Sequence, residues 1–511
     1  MKVTCGFIKE SYVTFVFIMM LSIVETARSG IRKSKDRWKK ESIYMEYKCI
    51  WNNYNAKQLK ELDSLCKDYI NFISDCKTER ECVDEIVSNI EKEGYKDIND
   101  YIKGKKKAKA GDKIYAVNMN KSIIMINVGS DDIENGVNIL GAHIDSPRLD
   151  VKQNPLYEDN GIAYLDTHYY GGIKKYQWVT IPLAIHGIVV KKDGTEIIVN
   201  LGEEDDDPVF FISDLLIHLS GEQLEKKAAK VIEGEALDVI IGNRPVEATD
   251  KEDEDSKEKD AVKKSVLSIL KEYYDMEEED FLSAELEIVP AGRAKECGLD
   301  RSMVLGYGQD DRVCAFPSYK AMLSVKKIKK TAVCILTDKE EIGSVGATGM
   351  QSRFFENTMA ELVNLLGDYS ELKLRRLLSN SCMLSSDVNA AYDPSYSSAF
   401  DKKNTSFMGR GMVLCKFTGA RGKSGSNDSN AEYIGALRNI FDKDKVVYQL
   451  AELGKVDQGG GGTIAYMLAK YGMNVIDAGV AVLNMHAPHE VTSKADIYET
   501  YRAYISFIKN M

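Results

Sequence analysis

Four things are scarce or missing in this chain of 511 residues, and each closes off a class of function. Histidine occurs six times, at His143, His168, His186, His218, His486 and His489. Any metal site built on imidazole must draw from that short set. The ten cysteines include no C-x-x-C pair, which argues against a structural zinc knuckle. Cys334 in AVCIL and Cys382 in SCML lie inside apolar runs and read as small core residues of a reducing compartment. Positive charge is not in excess. The formal net charge is -11, which argues against general nucleic-acid binding. A long apolar run is also missing: Tyr12 to Val24 is too short to span a bilayer comfortably.

What is present is a chain long enough for two or three domains, with 44% hydrophobic residues to build their cores. Residues 1–36 stand apart. Lys2 and Lys9 precede the apolar run, and a basic stretch from Arg28 to Lys40 follows it. The segment resembles the core of a signal peptide, with Glu25-Thr26-Ala27 ahead of a cleavage site. The simpler expectation is an over-extended start, with the protein beginning near Met45 and working in the cytoplasm.

From residue 55 to 103 the apolar spacing predicts helices, and Thr78 with Glu81 forms a capping-box signature. KIYAVNM, SIIMINVG and VNILGAHID then read as three strands. Between 151 and 290 short strands dominate (GIAYLDTHY, WVTIPLAIHGIVV, EIIVN, AELEIVPAG), joined by a polar loop over 247–260 and a helix over 261–278. This block interrupts the strand-then-helix texture on either side and is predicted to be an inserted β-rich domain. The fold class is therefore α/β: a catalytic domain over 45–150 and 291–511, with a central mixed sheet flanked by helices, plus the insertion. Strands are expected at 331–337, 381–385, 412–417 and 475–483. Helices are expected at 311–325, 356–367, 372–378, 428–441, 463–471 and 493–508.

Chemistry-bearing residues follow the strands. After NILGA come His143 and Asp145. After AVCILT come Asp338, Glu340 and Glu341. Asp387 follows CMLSS, and His486 follows GVAVLN. Asp310-Asp311 follows GYGQ at a helix start. In open α/β sheets ligands bind outside the carboxyl ends of the strands. Singly, each residue has an ordinary account: a satisfied histidine, a cap, a solvated acidic pair, a turn. Together they require five coincidences of placement. Two histidines with several carboxylates suit Zn²⁺ or a similar first-row ion. Two such ions about 3.5–4 Å apart can share a bridging carboxylate and activate water between them. The Glu340-Glu341 pair offers one ligand and one free base.

The motifs AHIDSPRLDV, GQDDRV, TDKEEIGSVGATG, SSDVNAAYDPSY, QGGGGTIA and LNMHAPHEV, in this order, resemble the M18 family of metalloaminopeptidases from about Trp51 to the C-terminus. The resemblance implies a zinc-peptidase-like fold that releases N-terminal residues from peptides with a free amine. It implies two Zn²⁺ per subunit, with Co²⁺ or Mn²⁺ as substitutes. It assigns His143, Asp310, Glu341, Asp387 and His486 as ligands, Asp310 bridging, and Glu340 as general base. Asp145 becomes the carboxylate that orients His143. His186 matches a histidine that reaches a neighbouring subunit's site. The insertion becomes a dimerisation domain in a homo-oligomer, up to a tetrahedral dodecamer.

Two departures place the chain in a bacterial-type branch: Asp311 where more familiar members have Asn, and Gly459 to Gly462 in place of a Cys-Gly-Thr-like segment. Lys416 and Arg421 are the cations available to face an acidic side chain, solvated loop positions being the simpler account. Gly422-Lys423-Ser424 is not a P-loop, because Phe417 stands where the upstream glycine is required. The alternatives are another dinuclear zinc hydrolase, such as a carboxypeptidase or deacylase, and a non-catalytic assembly or cargo-binding protein on the same scaffold.

Overall fold

The strand Asn138–His143 is buried along its whole length because helices cover both faces of the sheet it belongs to. Leu140 and Ala142 point into one core and Ile139 into the other. This is why the segment reads as a continuous apolar run rather than an alternating one. The computed structural model describes residues 47–246, 260–419 and 421–511. The expectations for residues 1–36 and for the polar loop up to residue 259 lie outside them. Residues 50–511 form one compact unit.

The strands, in chain order, are β1 (Lys96–Asp97), β2 (Lys113–Asn118), β3 (Ser122–Asn127), β4 (Asn138–His143), β5 (Arg148–Asp159), β6 (Ile162–Tyr170), β7 (Leu183–Val190), β8 (Glu196–Leu201), β9 (Val239–Gly242) and β10 (Ala284–Pro290). They continue as β11 (Lys295–Cys297), β12 (Met303–Gly306), β13 (Ala332–Thr337), β14 (Cys382–Ser385), β15 (Asn389–Ala390), β16 (Met412–Cys415), β17 (Tyr448–Leu450), β18 (Asn474–Gly479), β19 (Ala481–Leu483) and β20 (Glu490–Ser493).

The main sheet is mixed and nine-stranded, in the order β1-β2-β3-β13-β4-β14-β18-β16-β17. Its centre, β13-β4-β14-β18, is parallel. The carboxyl ends of four adjacent strands therefore open on one edge. The helices Ala56–Asp75 and Glu79–Lys92 pack in the core on one face. Both start with capping boxes, at Asn55/Gln58 and at the expected Thr78/Glu81. The helices Gln309–Ser324, Ala431–Asp444 and Lys494–Asn510 complete that face. Phe354–Leu366 and Glu371–Ser379 cover the other.

A second, six-stranded sheet, β8-β7-β10-β5-β6-β9, takes all its strands from between Arg148 and Pro290 and has its own core around Trp178, Ile288 and Val289. A third sheet of five short strands, β11-β12-β20-β19-β15, lies along the chain segments that lead to Asp310 and His486.

Two expectations are corrected. The run 475–483 is not one strand. It breaks at Val480, so that β18 belongs to the main sheet and β19 to the third. The crossing passes hard against the turn at Asp387: a Cβ on Gly479 would stand 2.0 Å from the Asp387 carbonyl oxygen. The helix expected at 463–471 is only Ala465–Ala469.

Candidate metal centre

The parallel strands deliver their acidic and imidazole groups to one point. β4 ends on His143, which pairs in register with Thr337 of β13. The chain beyond β13 turns at once through Lys339, at φ 69°, into the short 3-10 turn Glu340–Ile342. β14 runs out to Asp387, and the hairpin between β19 and β20 carries His486, itself at φ 65°. Left-handed backbone at non-glycine residues costs on the order of 1 kcal/mol each, and such conformations cluster at functional sites. Asp310, in non-helical backbone (φ -79°, ψ 104°), stands just ahead of the regular turns of its helix, after the sharp turn at Gly308, where a Cβ would meet the Arg312 guanidinium at 1.9 Å.

Asp310 lies between the two imidazoles. Its Oδ1 is 3.2 Å from His143 Nε2, and its Oδ2 is 3.2 Å from His486 Nε2. His486 Nε2 is also 3.4 Å from Glu341 Oε2, and His143 Nε2 is 4.0 Å from Glu340 Oε2. The tautomers follow from the other ring nitrogens. His143 Nδ1 faces the Asp145 carbonyl at 3.0 Å and the Asp145 carboxylate at 3.3 Å. His486 Nδ1 faces the Gly172 carbonyl at 2.9 Å. These partners only accept, so each Nδ1 carries a proton and each Nε2 is directed into the cluster.

An imidazole nitrogen 3.2 Å from a carboxylate oxygen shares either a proton or a metal ion with it. Donor atoms of His143, Asp310 and Glu341 lie within 4.8 Å of one another, as do those of His143, Asp311 and Asp387. Buried oxygens on Asp310, Asp311 and Glu341 have no hydrogen-bond partner among the described residues. Buried polar atoms are seldom left so. Two imidazoles with this many carboxylates match the donor set of Zn²⁺ or a similar ion, so the residues present fit the metal.

The electrostatics of the cluster reflect how closely these carboxyl groups are gathered. Burial, with the charges of Asp145 and Asp310, pushes the Glu340 carboxyl up to about 7. Burial and neighbouring carboxylates push Glu341, Asp387 and Asp311 up as well. Burial opposes charge on the histidines, but contact with Asp145 and Asp310 raises His143 well above its ordinary value, and Asp310 and Glu341 raise His486 to about 10. Burial also disfavours ionised Asp310, yet the two imidazoles hold it well below the usual carboxylate range.

Asp145 sits beneath the cluster. Besides its contacts with His143, it accepts the backbone N–H groups of Glu340 (3.1 Å) and Glu341 (3.2 Å) and the Tyr170 hydroxyl (2.8 Å). Glu490 does similar work on the other side, accepting from the N–H groups of Asp310 (3.0 Å) and His486 (2.8 Å). Tyr170, Gly172 and Glu490 carry no sequence signal of their own. A tyrosine closing an alternating strand reads as packing, and the glutamate is one of many.

Every sequence-predicted metal ligand joins the cluster or its rim, with Glu340 and Asp145, and Asp311 adds a further buried carboxylate. His186 does not join it. Its ring is buried between Glu81 (2.7 Å) and Glu203 (3.1 Å), bridging the first helical layer to the second sheet. A cavity of about 450 Å³ opens over the cluster, lined by Asp310, Glu340, Glu341, Asp387, His486 and the backbone of Gly460 to Gly462. Lys416 is exposed and lies outside this lining; Arg421 lines a neighbouring cavity that shares Thr418, Leu453 and Gly460.

Residues 72–508 match the family model described as aminopeptidase I zinc metalloprotease (M18). A probable M18 family aminopeptidase 1 of Clostridium acetobutylicum is 61% identical over 468 residues, covering 92% of this chain and 99% of its own. The crystal structure of an M18 aminopeptidase from Thermotoga maritima is similar at 44% identity and a TM-score of 0.85, covering 91% of this chain and 100% of that one. That of aminopeptidase I from Clostridium acetobutylicum has a TM-score of 0.84 at 59% identity, covering 92% and 100%.

Proposed function

The chain belongs to the M18 family of zinc metalloaminopeptidases, and from that premise we propose a centre of two zinc ions per subunit that releases N-terminal residues from peptides. His143, Asp310 and Asp387 would hold one ion, and Asp310, Glu341 and His486 the other. The observation that carries the reading is Asp310, whose two oxygens each face a different imidazole. Ions bound there supply Lewis acidity toward a carbonyl and toward water at neutral pH.

The chain's own residues do the rest. Glu340 reaches the same cluster without being needed as a ligand, its Oε2 standing 4.0 Å from His143 Nε2, which places a free carboxylate where a general base is required. It takes the proton of the attacking water and returns it to the leaving amine. Asp145 keeps His143 in one tautomer and holds the Glu340-Glu341 backbone. The acidic lining of the cavity favours a free α-amine over a blocked one, and Gly460 to Gly462 let peptide backbone approach closely.

The 151–290 domain is proposed as the dimerisation unit of a homo-oligomer, with a dodecamer as its largest form. In support, it exposes a run of large apolar side chains at Val209, Phe211, Leu215, Leu216, Ile217 and Leu219, more than a solvated surface usually carries. A role for His186 at a neighbour's site would require assembly to draw its ring away from Glu81 and Glu203. A cytoplasmic setting agrees with the nine described cysteines, all of them free. No helix among the described residues is long and apolar enough to cross a membrane.

The test is a panel of aminoacyl-p-nitroanilides and their N-acetylated counterparts, with Zn²⁺, Co²⁺ or Mn²⁺ returned after chelation. Cleavage of the free-amine set alone, dependent on two bound ions per chain, is expected. Equal cleavage of the acetylated set would refute the reading, and on an unmodified peptide run beside the panel release of the carboxyl-terminal residue first would favour a carboxypeptidase.

A further inference from the structure

We propose that Tyr170–Gly172, at the end of β6 in the second sheet, is a working part of the metal centre: Tyr170 is a positioning residue that fixes Asp145, and Arg148 fixes Tyr170. The inference rests on the dinuclear reading above. Three consecutive residues of this segment touch both halves of the cluster. The Tyr170 hydroxyl donates to Asp145 Oδ2 at 2.8 Å. Gly171, at φ 77°, lies so close to Glu341 that a Cβ there would stand 3.3 Å from its Cβ. The Gly172 carbonyl accepts from His486 Nδ1 at 2.9 Å. One short segment therefore sets the tautomer of one imidazole directly, and steadies the Asp145 carboxylate that faces the other at 3.3 Å.

The segment is itself held. The Arg148 guanidinium lies 3.9 Å from the Tyr170 ring centroid. It is tied to Asp150 (2.8 Å) and Glu287 (3.1 Å) of the second sheet and faces Glu79 (3.6 Å) of the helical layer. A planar, permanently charged group held over an aromatic ring and anchored on several sides helps keep that ring in place. Asp145 in turn accepts from two backbone N–H groups and the Tyr170 hydroxyl while facing His143. Without the hydroxyl, its Oδ2 would keep only the 3.2 Å contact from Glu341, and the carboxylate could turn. The Glu340-Glu341 backbone would shift with it, and His143 would keep the Asp145 carbonyl but lose the carboxylate that faces its ring. The inserted domain thus contributes to catalysis inside its own chain, apart from any role in assembly.

Tyr170→Phe in the full-length protein is the test, with Tyr157→Phe as control, since Tyr157 gives up a comparable bond to Asp238 (2.6 Å) in the same sheet. Metal-free protein is titrated with Co²⁺ and followed by its visible absorption, and kcat and KM are measured on a free-amine substrate. Loss of an outer-shell partner typically costs 10–100-fold in metal affinity or activity. Tyr170→Phe is expected to weaken Co²⁺ binding and lower kcat by about that factor, with KM nearly unchanged, while Tyr157→Phe matches wild type. Arg148→Lys, which keeps the hydroxyl but loses the stack, should shift both quantities the same way by a smaller factor. It carries the test alone if Tyr170→Phe yields no soluble protein. Wild-type Co²⁺ affinity and kcat in the variant tested would overturn the inference whatever happens to its melting temperature, and so would a change confined to KM. A wild-type protein that takes up no Co²⁺ and cleaves no free-amine substrate would overturn the dinuclear reading as well.

Discussion

Stripping the metal should make the protein less stable as the pH rises through neutrality, and the magnitude follows from the carboxyl groups of the cluster. In the metal-free fold Glu340 is held at about 7 by burial and by Asp145 and Asp310, and Glu490 at about 8 by burial and Asp310, each from an ordinary 4.5. Asp311, Glu341 and Asp387 move the same way. In the unfolded chain these groups lose their protons near pH 4, while the folded protein keeps them to higher pH. The unfolded state therefore binds fewer protons between about pH 4.5 and 8, and stability falls with pH across that window. His143 and His486, both raised, act with the same sign: their contribution is present below about 6.5 and is lost as pH climbs through the folded values. Asp310 has the opposite sign, but its window lies below pH 4. At 1.36 kcal/mol per pKa unit, Glu340 alone accounts for roughly 3 kcal/mol. Zn²⁺ at a hundred times its Kd restores about 2.7 kcal/mol. Thermal melts of chelated and zinc-loaded protein at pH 5, 6, 7 and 8 should diverge as pH increases. Parallel curves, or a metal-free protein that gains stability with pH, would refute the reasoning.

Three other outcomes are expected. Replacing His186 with Asn removes a buried ring whose pKa is raised, against burial, by Glu203 and Glu81, and whose two partners are lowered. The stability gap to wild type should be widest near pH 5–6 and narrow as alkali deprotonates the ring, as read by denaturant titration. Gly479→Ala drives a methyl into the Asp387 carbonyl. It should cost about 1–3 kcal/mol as overpacking does and lower metal content measured after dialysis. Changing both Leu216 and Ile217, 54% and 70% exposed, to Glu should reduce the assembled mass in light scattering without unfolding the subunit.

Much of this was legible in the sequence because buried parallel strands leave apolar runs, and the residues just beyond them gather at one sheet edge. His143, Glu340, Glu341 and Asp387 could be placed that way. Asp310 and His486 could be added because their loops follow glycine-rich or apolar segments. The capping box at Thr78 and Glu81 was equally local. What was hidden depends on contacts distant in sequence. Tyr170 reaches Asp145 across 25 positions, and Gly172 reaches His486 across 314. Glu490 straddles two loops with a single carboxylate. The break between β18 and β19 was invisible because Gly479 and Val480 keep the run apolar while the chain changes sheets.

Glu340→Gln bears most directly on the central claim. The zinc-loaded variant should keep two metal ions per chain, since Glu340 is not among the assigned ligands. It should lose about 10²–10⁴-fold in turnover of a free-amine substrate, the range a positioned general base supplies. Full metal content with wild-type turnover would contradict the assignment.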